Sequence, residues 1–582
     1  MNEDQDIPSP APTDLPTFRV LSEGKDVGDL YRICSVVVSR EFNKISRARI
    51  VLFDGDPSKE DFEVSNTDDF IPGKEIEIFA GYHSNDDSIF KGIIIGHGIR
   101  SRKNNASTLI IECRDIAVKM TSGKKSSYFY DVSDLEIAEQ LVTASGAEFK
   151  GDATSTKHKE MVQYNCTDWD FLLSCAERSG RLIHTNDGTI YFIQPKTNGG
   201  PKLSLAYGTT MLEFEADADA RNQFQSIKTN SWDPSAQSMS NAEAEIPSSD
   251  ELGNFEAKKL ATIIGADESV LLHSGIIGDK ERQSLADAFM QNNRLSKVRG
   301  RVKCQGFAAI RPSDMLELNG VGDRFNGNAF VSGVRHQITI KNWETDIQFG
   351  LSPDCFVSIK NANTNSSNGI PPIIGGMQIG IVVQLENDPQ GEERVQVRVP
   401  SISGKEAGVW ARLASADAGN KRGMVFRPEI NDEVVLGFFN DDPRCPVILG
   451  MLNSSSKPSP VPASDKNNLK GFQTRSGLKF LFDDEKTEVQ IQTPNGNKFT
   501  VSDKTGGVLV EDENKNKIEI NSDGITIKSA SDLNIKATGD INIEGVNLNF
   551  KASAELKAEG SAGAEFKSGA IAVLKGSLVQ IN

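Results

Sequence analysis

Toward the C-terminus a short apolar-polar-apolar triplet recurs about every seven or eight positions. It runs Ile518-Glu519-Ile520, Ile525-Thr526-Ile527, Leu533-Asn534-Ile535, Ile541-Asn542-Ile543 and Leu548-Asn549-Phe550. It then weakens into Ala554-Glu555-Leu556, Ala564-Glu565-Phe566 and Ile571-Ala572-Val573. Residues i and i+2 of a strand share a face, so each triplet predicts one short strand with two residues inward and one outward. A fixed short period of this kind marks a β-helix or β-prism. A plain surface sheet is the competing reading, but the period persists for longer than such a sheet needs. A single chain with so short a coil leaves its apolar side open. Three chains winding together close it and remove free strand edges. The expected needle core is therefore Ile518, Ile520, Ile525, Ile527, Leu533, Ile535, Ile541, Ile543, Leu548, Phe550, Leu556, Phe566, Ile571 and Val573. Small residues from Ala552 to Ala564 predict some taper.

Upstream, strand patterns dominate from Phe18 to about Lys360, as in Ile76-Glu77-Ile78-Phe79 and Thr108 to Glu112. Ser133 followed by Glu136 forms a capping-box pattern that predicts a helix through Leu141. Trp169, Leu172, Leu173 and Ala176 fall at helical spacing, which predicts a helix over Thr167 to Ser179 with Gly180 as its stop. A third helix is expected over Asp279 to Asn293. Residues 361–369 have linker composition. Five short strands follow, Met377 to Leu385, Arg394 to Val399, Val409 to Leu413, Glu433 to Phe439 and Pro446 to Leu449, which suit a small OB-type barrel. The expected fold is mainly β: an N-terminal hub of β-barrel-like subdomains with a few helices, an OB-fold barrel and a C-terminal trimeric β-helix needle. The expected boundaries are a flexible arm (1–16), hub (17–360), linker (361–374), collar (375–452), neck (453–469) and spike (470–582).

Bulk properties narrow the function class. A length of 582 residues allows roughly three to five domains. No apolar run approaches the ~18 residues of a membrane span, and the acidic, proline-rich start has no secretory signal pattern. A formal charge of −17 argues against nucleic acid as a partner. Seven scattered cysteines, odd in number, read as reduced thiols of a chain folded in the cytoplasm.

Catalytic signatures are missing. The sequence holds no His-Glu-x-x-His, G-x-S-x-G or Walker A loop. Gly320-Val321-Gly322 lacks the third glycine of a nucleotide fingerprint and reads as a hairpin turn. All six histidines precede the barrel, so a histidine-held ion at the tip is excluded. His97 and His336 read as structural, and Trp169 as a helix anchor. No catalytic, cofactor or metal residue is expected.

Three stretches carry a resemblance. Asp168-Trp169-Asp170-Phe171-Leu172 through Ala176-Glu177-Arg178-Ser179-Gly180 is the first. Phe325-Asn326-Gly327 through Val331, Val334 and His336 is the second. Trp410-Ala411-Arg412, Gly423, Pro428, Asn431-Asp432-Glu433-Val434 and Asp441-Asp442-Pro443-Arg444-Cys445-Pro446-Val447 is the third. In that order, before the tail repeat, they resemble the VgrG spike proteins of contractile injection systems, which are similar to phage tail hub and spike proteins fused in one chain. Asn431 and Asp441 stand where the family usually has glycine; both residue types tolerate the left-handed conformation.

The resemblance implies a homotrimer whose hub faces a hexameric tube ring, with baseplate proteins around it, an OB collar and a membrane-piercing needle. A PAAR-type tip protein would dock at Ser577, Leu578, Val579, Gln580, Ile581 and Asn582, with effector cargo as a further partner. Such a chain is assembled in the bacterial cytoplasm and ends outside the cell or in a target cell. Related phage spikes carry a lysozyme domain between barrel and needle, but the neck is too short to fold the paired-carboxylate cleft that such an enzyme needs. Some relatives carry a toxin domain after the needle; here the chain stops shortly after the last repeat, so none is expected. A trimeric β-helical tail fibre or adhesin is the alternative function. It accounts less well for the large hub and the lack of a receptor-binding head. Which contractile apparatus the chain serves is left open by the sequence.

Overall fold

Strand alternation in the first 350 residues resolves into one thirteen-stranded sheet and three small sheets of two or three strands. The computed structural model describes residues 16–28, 30–103, 105–247, 252–265, 267–354 and 373–581. The arm over 1–15, most of the linker (361–372), Cys355 and Asn582 lie outside the described residues. Strand Arg47–Phe53 illustrates why the sheet forms. Ala48, Ile50 and Leu52 alternate inward and are fully buried, while the intervening residues stay on the wetter side.

The two ends of the hub sequence meet in this sheet. Strand Gly327–Thr339 pairs on one side with Trp343–Phe349 and on the other with Ile33–Glu41, where Arg335 lies opposite Ser39. This is the strand of the second sequence stretch. Val331, Val334 and Ile338 are buried along it, and so is His336, whose Nδ1 lies 3.0 Å from Thr345 Oγ1. Burial, helped by the Arg40 and Arg311 charges, pushes the His336 pKa down to about 3, so the ring stays neutral and structural. The Gly320-Val321-Gly322 segment is the turn of a hairpin, with φ of 74° and 79° at its glycines.

Four α-helices lie among the described residues. Helix α1 (Asp134–Ser145) starts on the expected capping box and stops at Gly146 in the left-handed region. Helix α2 (Asp168–Arg178) is capped by Thr167, and Gly180 follows its end at φ 65°. Helix α3 (Ala257–Ile264) was not anticipated; it is short and its N-cap, Glu256, makes no side-chain capping bond. Helix α4 (Asp279–Leu295) runs two residues beyond its expected end.

The collar is a closed five-stranded barrel in the order Gln378–Gln384, Val395–Arg398, Val409–Leu413, Pro446–Met451, Glu433–Phe438. Asn431 (φ 70°) and Asp441 (φ 55°) adopt the backbone shape of the glycines they replace. Ile374, placed in the linker by composition, is fully buried in the barrel core, because one apolar side chain at a segment's end packs regardless of its polar neighbours. The same core includes Tyr128 and Val162 of the hub.

Contacts divide the chain into two compact units, Met1–Asn453 and Ser454–Asn582. The second opens with seven antiparallel strands: Leu469–Gln473, Lys479–Asp483, Glu488–Gln492, Lys498–Ser502, Gly507–Glu511, Lys517–Asn521 and Gly524–Lys528. This portion of the expected spike is a hairpin meander, since short turns let neighbouring strands of one chain pair directly. From Ser529 to Ile581 no residue is assigned to a strand. The triplets from Leu533 onward find no ladder partner among the described residues.

Candidate functional site

The meander sorts its side chains by polarity. Each strand from Lys479 onward carries apolar residues at its second and fourth positions, and the register stacks them into two columns. Phe480 faces Ile491, Ile491 faces Phe499, Phe499 faces Val510, Val510 faces Ile518 and Ile518 faces Ile527. Phe482, Val489, Val501, Val508, Ile520 and Ile525 form the second column in the same way. The middle residues, among them Gln490, Thr500, Glu519 and Thr526, point to the other face, where Lys517 Nζ donates to Glu519 Oε2 at 2.5 Å. The apolar face is uncovered in the single chain: Ile491 is 50%, Ile527 54% and Ile525 70% exposed. A contiguous apolar face of this extent marks an interaction surface.

The structure places Ile518, Ile520, Ile525 and Ile527 of the expected needle core on this face. Leu533, Ile535, Ile541, Ile543, Leu548, Phe550, Leu556, Phe566, Ile571 and Val573 follow on the strandless segment, all exposed. Ser577 to Ile581 are exposed as well.

A second arrangement was not foreseen. Where the collar meets the hub, a chain of buried charges links four hub elements to the loop Asp442–Cys445. Arg178 of α2 donates through Nε to Asp134 Oδ1 of α1 at 3.2 Å. The other oxygen, Oδ2, lies 3.0 Å from His158 Nε2 on strand Lys157–Cys166, and His158 Nδ1 is 3.6 Å from Glu281 of α4. Glu281 Oε1 accepts from Arg444 Nη1 at 2.8 Å, and Arg444 clasps Asp442 through Nε and Nη2. Burial alone would raise the carboxyl pKa values of Asp134, Glu281 and Asp442. The guanidiniums and the imidazole overcome it and hold all three below the usual carboxylate range. Burial would likewise lower His158, but its two carboxylate partners raise it above an ordinary histidine.

Beside this chain is a cavity of about 430 Å³ lined by Trp232, Trp410, Phe439 and Glu160, among others. Burial raises the Glu160 pKa to about 7, against the opposing Arg394 charge. His273, Asp442 and Cys445 also converge here, with donor atoms within 4.8 Å of one another. Two features oppose a cation. His273 Nδ1 accepts the Gly275 N–H at 3.1 Å, so in the neutral ring Nε2 carries the proton and has no free lone pair. Both Asp442 oxygens already accept from Arg444.

The sequence carried partial signals for the joint. Asp442 and Arg444 lie in the third stretch and Glu281 in the first turn of α4, but nothing local pairs them across 163 residues.

Comparison with known proteins followed the same division of the chain. The family model described as "Alg8 N-terminal domain" matches residues 12–340. "Type VI secretion system/phage-baseplate injector OB domain" matches 378–452, and "Phage baseplate V C-terminal trimerisation domain" matches 488–582. The type VI secretion system spike protein VgrG1a of Pseudomonas aeruginosa is 23% identical over 231 residues, 36% of this chain and 34% of that protein. The actin cross-linking toxin VgrG1 of Vibrio cholerae is 28% identical over 136 residues, 21% of this chain and 12% of the toxin. The chain thus spans about a third or less of the length of these curated relatives. A chain of the half-lidded Francisella PdpA–VgrG complex shares the fold, with a TM-score of 0.52, 10% identity, and coverage of 89% of this chain and 88% of that one.

Proposed function

We propose a mechanical function for this chain, on the premise that it belongs to the Alg8 N-terminal-domain family and is a spike and hub protein of the VgrG type. It forms a homotrimer in which the apolar faces of three tails cover one another. Three copies supply partner strands for the triplets from Leu533 to Val573, and Ile518, Ile520, Ile525 and Ile527 join the same interior. The hub receives the first hexameric ring of an inner tube and contacts baseplate proteins. The collar joins hub to needle, and the needle transmits the force of contraction to a target membrane.

Ser577 to Asn582 form the docking end for a PAAR-type tip protein, and effectors travel as further cargo. The chain assembles in the bacterial cytoplasm and leaves it with the injection particle. No bond is made or broken by the described residues. The joint's acids are occupied in ion pairs, and the stretch resembling the actin cross-linking toxin is a small fraction of that protein.

The single observation that carries this reading is the two-column apolar face, which leaves nine large side chains exposed to water unless other copies cover it. Sedimentation of the full-length protein at micromolar concentration tests it. A trimer is expected, and a monomer would end the needle reading. A host-binding fibre is disfavoured, since matches to the injector OB domain and the baseplate trimerisation domain follow one another along the chain.

A further inference from the structure

The buried chain of charges in the first unit does not balance unless one histidine is ionised. Three carboxylates, Asp134, Glu281 and Asp442, face two guanidiniums, Arg178 and Arg444, and two histidines: His273, whose Nε2 is 3.4 Å from Asp442, and His158 at the other end. His158 sits between the first two carboxylates, with its side chain 2% exposed. A neutral imidazole has one N–H and can serve only one of them. The imidazolium has two and can serve both. It also cancels the remaining negative charge, which an apolar interior penalises strongly.

We infer that His158 is a proton-held clamp of the hub–collar joint: as imidazolium it ties α1 to α4 and fixes Glu281 where it grips Arg444 of the collar.

Every element around the ring supplies a charge that acts on it. Asp134 comes from α1 and Arg178 from α2, where the buried Cys175 thiol also touches Arg178. Glu281 comes from α4, with Lys280 beside it, and Arg444 from the collar loop. On its own strand, Lys157 and Lys159 are exposed at the surface and Glu160 lines the cavity. The two carboxylates are nearest and outweigh Arg178, so the ring holds its proton more tightly in the folded joint than in an open one.

The sign follows. A histidine raised above its ordinary ~6.5 contributes fully below that value and loses its contribution as pH rises through the folded value. The joint therefore loosens toward alkaline pH. Across that interval the opening equilibrium rises by about tenfold per pH unit. This inference concerns the first unit alone and stands whether or not the needle reading does.

The test is hydrogen exchange of the full-length protein between pH 6 and pH 9, corrected for intrinsic exchange, read at the amides of Arg444, Cys445 and Arg282. The Cys445 N–H donates to Asp442 O and the Arg282 N–H to Gly278 O, so both report on the joint. The wild type is expected to lose protection by about tenfold per pH unit above ~6.5 until His158 is neutral. His158→Gln, which cannot charge, is expected to start lower and to stay flat above pH 7.5, where the Glu160 contribution is spent. A variant with the wild-type pH profile overturns the inference. Should the variant fail to fold, deuterium exchange at the His158 C2 position of the wild type decides the matter. Titration above ~6.5 supports the clamp, and titration at or below that value overturns it.

Discussion

Tyr130 and Gly408 bond each other in both directions: the Tyr130 hydroxyl donates to the Gly408 carbonyl at 3.1 Å and accepts the Gly408 N–H at 2.9 Å. One side chain of the hub thereby satisfies both backbone groups of a collar residue. Its neighbour Tyr128 accepts the Val399 N–H at 3.2 Å, which makes a second pin from the same strand.

Removing the Tyr130 hydroxyl strands both groups of Gly408. Tyr130→Phe is expected to destabilise the first unit by about 1–3 kcal/mol. Gly408→Ala should cost more, since φ is 88° and a Cβ there would sit 2.0 Å from the Val397 carbonyl. Urea unfolding followed by tryptophan fluorescence measures both. Wild-type midpoints would show that the pins carry no stability.

Arg444 is the shared partner of Asp442 and Glu281. Arg444→Met removes the guanidinium that pairs both buried carboxylates and is expected to cost about 3–5 kcal/mol. Arg444→Lys is expected to recover little, because an ammonium cannot reproduce the two-armed clasp on Asp442. The same unfolding experiment reads both variants, and a loss under 1 kcal/mol for Arg444→Met would contradict the described geometry.

Glu160 gives a separable pH effect. Its carboxyl is raised from an ordinary 4.5 to about 7, so the folded state binds this proton more tightly than the unfolded chain does. That contribution is complete below pH 4.5 and is lost as pH climbs toward 7. Glu160→Gln should therefore flatten the fall in unfolding midpoint between pH 5 and pH 7.5. An unchanged slope would rule Glu160 out as its source.

The tail face separates core from surface by one residue. Ile518 lies in an apolar column and Thr526 on the opposite face. Ile518→Asp places a carboxylate from each copy in a shared interior and is expected to abolish trimers at micromolar concentration. Ile535→Asp, farther along, should do the same, while Thr526→Asp should remain trimeric. Sedimentation velocity distinguishes the three. Equal behaviour of Ile518→Asp and Thr526→Asp would mean that this face is not the interface.

Local patterns carried much of the architecture. The Ser133–Glu136 capping box, the Thr167 cap of α2 and the five barrel strands follow from residue spacing alone, because turns, caps and alternation are decided within a few neighbours. Asn431 and Asp441 were readable as glycine substitutes for the same reason. Helix α3 has no such start signal, being short and without a side-chain bond at its N-cap.

The triplets from Ile518 onward fixed by themselves which side chains need cover, since a period of two along a strand dictates its faces. Partners distant along the chain were beyond that reading. Strand Gly327–Thr339 sits beside Ile33–Glu41, and Glu281 meets Arg444, only because the completed fold brings them together. His158 looked like one scattered histidine among six. Its proton became consequential once α1 and α4 had buried it between two carboxylates, where low dielectric strengthens the attraction and excludes the water that would weaken it.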